Sequence, residues 1–124
     1  MPESATDPRS LLPLPHLEYQ VLVSLADADL HGYAIVKEVG ARNHDTSTPS
    51  TGSLYLALAR LLDNGLIAEV ASESGGRKKR VYGLSRFGRV VTEAETARLA
   101  ELSRLAGERL RASQPATSVS RGGS

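Results

Sequence analysis

The chain has 124 residues, 40% hydrophobic and 23% charged, with a formal net charge of +1, the make-up of one ordinary globular domain. It contains no cysteine, which excludes disulfides, thiolate metal sites and thiol catalysis. It has no apolar run of membrane-spanning length, and MPESATDPRSLLPLPH lacks the basic start and apolar core of a secretory leader, so a cytoplasmic protein is expected.

Residues 1–13 carry three prolines among Ser, Thr, Asp and Glu. That composition buries too little apolar area to offset the entropy of ordering, so a flexible tail is predicted, with Leu11, Leu12 and Leu14 as the residues able to dock. From Pro15 to about Ala26, Leu17, Val21, Leu22 and Leu25 recur on one helical face, with Glu18 away from it. Pro15 suits a first turn, where its missing N–H is no loss. A second, shorter helix is predicted over His31–Val39, with Ile35 and Val39 facing the core and Gly40 as its stop. Gly32 in the first turn points to a close approach by another backbone, protein or phosphate, and Tyr33 reads as a core-edge tyrosine ahead of the alternative that its hydroxyl meets a phosphate. ARNHDTSTP (41–49) has the composition of a turn. His16, His31 and His44 have no partners at ligand spacing, so neither a metal nor another cofactor is expected.

Ser50 is a good N-cap for a third helix, and Leu54, Leu58, Leu61 and Leu62 form its apolar stripe. Ser53, Leu56 and Arg60 lie on the other side, with Asp63 at the far end. Asn64-Gly65 terminates the helix, Leu66–Val70 alternates as a strand, Glu73–Gly76 supplies a turn, and Arg80–Leu84 alternates again. Arg77, Lys78, Lys79 and Arg80 therefore sit at the tip and rising edge of a hairpin. Two helices followed by helix, strand, basic hairpin and strand is the pattern of a winged helix-turn-helix: mainly α with a small β-hairpin. A duplex approaching the third helix would meet hydroxyls and terminal N–H groups first, where phosphate is favoured.

Ser85 caps the last helix. Val91, Ala94, Leu102 and Leu105 give it a stripe, widened by Leu99 and Ala106, while Glu95/Arg98, Glu101/Arg104 and Glu108/Arg111 are spaced to brace the exposed side. So long an amphipathic helix has too little domain left to cover it, which predicts a homodimer with the six stripe residues at the interface. The chain divides into a tail (1–13), a winged helix-turn-helix domain (14–86), a dimerisation helix (87–111) and a disordered Ser/Pro/Thr/Gly tail (112–124).

No Ser/His/Asp arrangement, metal cluster or phosphate loop appears, so the chain is not read as an enzyme. The leading expectation is a sequence-specific regulator of transcription that binds double-stranded DNA. Ser50, Thr51, Ser53, Tyr55, Leu56 and Arg60 of helix 50–64 would form the contact surface, with Arg77 to Arg80 of the wing (73–81) on phosphates. The alternative is a winged helix used for protein assembly, its basic hairpin gripping an acidic partner.

His31-Gly32-Tyr33-Ala34-Ile35, Thr51-Gly52-Ser53-Leu54-Tyr55 with Leu58 and Arg60-Leu61, then Gly65-Leu66-Ile67, resemble the PadR family of bacterial transcriptional regulators. Gly75-Gly76-Arg77-Lys78-Lys79-Arg80-Val81-Tyr82 and Leu84-Ser85-Arg86-Phe87-Gly88 continue the match in order, so that the resemblance spans roughly residues 15–110. It implies a dimeric winged helix-turn-helix repressor on a two-fold operator: a third helix in the major groove, a wing on the flanking backbone and a C-terminal helix that dimerises. The family's recognition-helix tyrosine maps to Tyr55, and its wing basics to Arg77 through Arg80. Leu56 departs from the proline often found there. A single C-terminal helix resembles the shorter members, so a small-molecule effector, a further partner suggested by the family, would have only a small pocket.

Overall fold

Leu22, Leu25, Ile35, Val39, Leu54, Leu58, Leu61, Leu66 and Val91 are all fully buried, and the elements are arranged around them. The computed structural model describes residues 7–43, 49–70 and 80–114. After a 3-10 turn at Pro8–Leu11 come α1 (His16–Ser24), β1 (Leu30–His31), α2 (Gly32–Arg42), α3 (Thr51–Asp63), β2 (Ile67–Val70), β3 (Val81–Leu84) and α4 (Arg86–Ala112). The strands form one antiparallel sheet in the order β1-β3-β2. The two-residue β1 is too short to show alternation and is not legible in the sequence. It pairs Leu30 with Tyr82 and His31 with Val81, tying the start of α2 to the wing strand.

Predictions for α1, α2 and α3 need correction, each for a polar or packing reason. Glu18, expected away from the apolar face of α1, is buried and faces Arg60 of α3 at 4.0 Å. α2 runs through Gly40 to Arg42 because its last turn is latched to α1. Arg42 Nη2 donates to Ser24 Oγ at 2.7 Å and Nη1 to the Gln20 carbonyl at 3.3 Å, while Asn43 Nδ2 donates to Gln20 Oε1 at 3.1 Å. In α3 the buried stripe is Leu54, Ala57, Leu58 and Leu61, with Leu62 only half-buried.

The Ser85 cap of α4 forms as expected, its Oγ accepting from Gly88 N at 2.8 Å. Gly88 lies directly over the Leu66 carbonyl, where a Cβ would collide with backbone. Asn64 ends α3 as expected, and Gly65 has φ +75°, where glycine is the favoured residue.

In the described part of the N-terminal segment, Pro8–Leu11 packs on α4, with Leu11 and Leu12, two of the residues read as able to dock, half-buried against the core. The tie is Glu95. Expected on the exposed side of α4, it is 2% exposed and accepts a hydrogen bond from Leu14 N at 3.0 Å. Arg98 donates to it twice, at 2.6 and 3.1 Å, and this hydrogen bonding holds its carboxyl below the usual range against the opposing effect of burial. Farther along, Arg104 binds Glu101 as spaced and takes Glu108 as well, in place of the expected Glu108/Arg111 pair. Residues 1–6, the turn with His44, the hairpin tip with Arg77, Lys78 and Lys79, and the tail from 115 lie outside the described residues. Among the described residues no helix is long and apolar enough to cross a membrane.

Candidate nucleic-acid interface

The outer face of α3 begins at its cap. Ser50 Oγ accepts from Ser53 N and donates to Ser53 Oγ, both at 3.0 Å, so two of the predicted contact hydroxyls hold each other in place. Thr51, Gly52, Tyr55, Leu56, Ala59 and Arg60 complete an exposed surface with no acidic residue in its first turn. Leu56 is 53% exposed at the middle of this face, a large apolar side chain with no core to serve. The cap, the missing acid and the free N–H groups of the first turn together favour an anion at this end of the helix.

Arg60 lies at the other end of the face and is half-committed to the protein. Its guanidinium stands 4.0 Å from the carboxylate of buried Glu18, whose pKa is raised by burial and pulled back only in part by Arg60. Arg80 is the wing cation among the described residues, exposed and ion-paired across the strands to Glu69 at 3.4 Å.

Between α3 and the wing lies an open cleft of about 340 Å³ lined by His31, Gly32, Tyr33, Tyr55, Arg80 and Tyr82. The close approach predicted at Gly32 is real, but its partner is a side chain. A Cβ there would stand 3.0 Å from Tyr55 Cε1 and 3.1 Å from its hydroxyl. Tyr33 is 62% exposed rather than at the core edge, with Lys37 Nζ 5.6 Å from its ring centre. The predicted contact residues do not include His31, Gly32, Tyr33 or Tyr82. The one available signal was glycine followed by tyrosine at the start of α2.

The predicted dimer stripe divides in two. Val91 is fully buried in the core, which removes it from the predicted stripe; one turn later Ala94 is half-buried beside Leu12 and Pro13 of the N-terminal segment. Leu99 is half-buried, Ala106 exposed, and Leu102 and Leu105 are exposed apolar side chains on the half of α4 that projects past the domain.

The model of the transcriptional regulator PadR-like family matches residues 21–94. No curated protein matches. Among solved structures, the chain is similar to a PadR family transcription regulator from Clostridium difficile R20291, at 24% identity and a TM-score of 0.68, over 77% of this chain and 99% of that one. It is also similar to a PadR family transcriptional regulator from Eggerthella lenta, at 25% identity and a TM-score of 0.61, over 83% and 84%. A third similar structure is Bacillus subtilis PadR in complex with operator DNA, at 23% identity and a TM-score of 0.57, over 64% of this chain and 47% of that one. The family model covers more than half of the chain, from α1 through the wing into α4, and the winged-helix architecture agrees with it: the protein belongs to the PadR-like family of transcriptional regulators.

Proposed function

We propose that the chain is a sequence-specific DNA-binding repressor that acts as a homodimer on a two-fold operator in the cytoplasm. The observation that carries this reading is the outer face of α3, which is capped, free of acid in its first turn and lined by exposed Ser50, Thr51, Ser53, Tyr55, Leu56 and Arg60 over a buried leucine stripe. In this role the hydroxyls and Arg60 hydrogen-bond base edges and phosphates, and Leu56 meets a thymine methyl group. Arg77, Lys78, Lys79 and Arg80 take backbone phosphates, which position the protein without reading sequence. Leu99, Leu102, Leu105 and Ala106 pair with a second copy, which sets two reading heads near one helical turn apart, about 10 bp. Catalysis plays no part in this reading.

The test is a gel shift and footprint on the region upstream of the protein's own gene. A protected site with two-fold sequence symmetry is expected, and no footprint on any genomic fragment would refute the reading. Neutralising two wing cations should weaken binding to all sequences and flatten the salt slope by about 0.9 for each phosphate no longer neutralised. Leu102→Glu with Leu105→Glu should yield monomers by light scattering and cost most of the DNA affinity. Dimers that survive both changes would place the interface elsewhere.

A further inference from the structure

We propose that the cleft between α3 and the wing is a seat for one deoxyribose-phosphate unit of the DNA backbone, an inference that rests on the DNA-binding reading above. Tyr82 carries the argument. It sits in the middle of β3, only 5% exposed, opposite Leu30 and Glu69, and its side chain opens on the cleft. Among the described residues its hydroxyl has no hydrogen-bond partner. A buried hydroxyl without a partner is costly, and such groups call for an unseen ligand or a functional reason.

The surroundings define the ligand. The first turn of α2 begins at the cleft with Gly32 and Tyr33, where backbone N–H groups lack partners inside the helix and favour an anion. His31 caps that turn through Nδ1, accepting from Ala34 N at 3.3 Å. Arg80 overhangs the cleft from the wing; its partner Glu69 is half-exposed, so the guanidinium can turn to a phosphate at little cost. The remaining wall is apolar, the rings of Tyr33 and Tyr55. A free anion has no use for such a wall, whereas a sugar face packs on it while its phosphate meets Arg80, the α2 terminus and the Tyr82 hydroxyl. The cleft also adjoins both elements proposed to touch the duplex. Gly32 acts as a positioning residue, because a Cβ there would push the Tyr55 ring back by a few tenths of an ångström from its place across the start of α2.

The experiment uses the full chain and the duplex footprinted upstream of its gene. If the wild type fails to bind any duplex, the DNA-binding reading itself falls, and the seat with it. If it binds, Tyr82→Phe should lose about tenfold in affinity while its melting temperature holds or rises, since it removes only an unpartnered hydroxyl. Gly32→Ala, which displaces a movable ring rather than backbone, should weaken binding without unfolding the protein. Arg80→Gln should lower the salt slope by about 0.9. A methylphosphonate at one linkage in each half-site should weaken the wild type by more than Tyr82→Phe does, since it also removes the charge that Arg80 and the α2 terminus meet, and should weaken Tyr82→Phe by a smaller factor than it weakens the wild type. Wild-type affinity in Tyr82→Phe, or additive losses at every linkage, overturns the seat. Competition by inorganic phosphate at matched ionic strength would make the cleft a free-anion site and also overturn it.

Discussion

Gly88→Ala should be among the most damaging single-methyl changes in this protein. A Cβ at residue 88 would stand 2.7 Å from the Leu66 carbonyl carbon and 3.1 Å from its Cα, and would overlap the Leu66 oxygen outright. Neither side can yield by a rotamer change, because both are backbone and Leu66 is fully buried. Relief means lifting the first turns of α4 off the end of α3. That lift strains the bond from Ser85 N to the Leu66 carbonyl, at 3.1 Å, and the one from Ser85 Oγ to the Gly65 carbonyl, at 2.6 Å. Overpacking of this kind costs about 1–3 kcal/mol, and a disrupted hydrogen bond adds about 1 kcal/mol. The expected loss is about 3 kcal/mol, a large share of the stability of so small a domain, and a fall in melting temperature of roughly 12–24 °C. Thermal and denaturant unfolding followed by circular dichroism would measure it. Gly83→Ala is the control, since the atoms its Cβ would meet belong to the Asp29 side-chain carboxylate, which can swing aside, and its loss should be much smaller. A Gly88→Ala loss below about 1 kcal/mol would refute the docking of α4 on Leu66.

Two buried carboxylates should respond to pH in opposite directions. Glu95 is held below its usual pKa by Arg98, so its stabilisation is present above the unfolded value and is lost as pH falls through the folded one. Glu95→Gln should therefore cost about 1–2 kcal/mol at neutral pH, a figure reduced for the partial exposure of Arg98, and the deficit should close in acid. Proteolysis near residue 12 should quicken in parallel if the N-terminal segment hangs on this contact. Glu18 is raised by burial, so its contribution is present below the unfolded pKa and lost as pH rises through the folded one. Glu18→Gln should raise stability at neutral pH by about 1 kcal/mol, a gain that shrinks as pH falls. A variant less stable than wild type at neutral pH would mean that Arg60 fully compensates the buried charge.

What the sequence made legible was local. The serine cap of α3, the Asn64 stop and the Ser85 cap each depend on neighbours within a turn or two and form as read, and Leu54, Leu58 and Leu61 of the predicted α3 stripe are buried. The misplaced residues are those with at least one partner far along the chain. Glu95 looks solvent-facing because its neighbours on α4 are charged, yet Leu14 and Arg98 satisfy it in the interior. Gly40 looks like a stop because nothing nearby discloses that Arg42 and Asn43 bond Gln20 and Ser24 on α1. Val91 fits the α4 period as well as Leu102 does. Only the length of the domain beneath the helix decides that one is core and the other exposed.

The candidate site divides along the same line. Tyr55 is legible as an exposed position of α3, and the period says no more than that. Its ring lies against Gly32, which belongs to another helix, and Tyr82 lines the cleft from β3, where it pairs with Leu30 of β1. Side chains that read bases need only stand on the right face of one helix, so a single period exposes them. A seat for the backbone needs a helix terminus, a strand and a second helix in fixed register, and that register is a property of the sheet. It follows that substitutions across the outer face of α3 should alter which sequence is bound, whereas changes at Gly32 or Tyr82 should weaken every sequence alike. Binding to a scrambled duplex of equal length separates the two classes, and a Tyr82→Phe loss confined to the operator would assign that tyrosine to base reading instead.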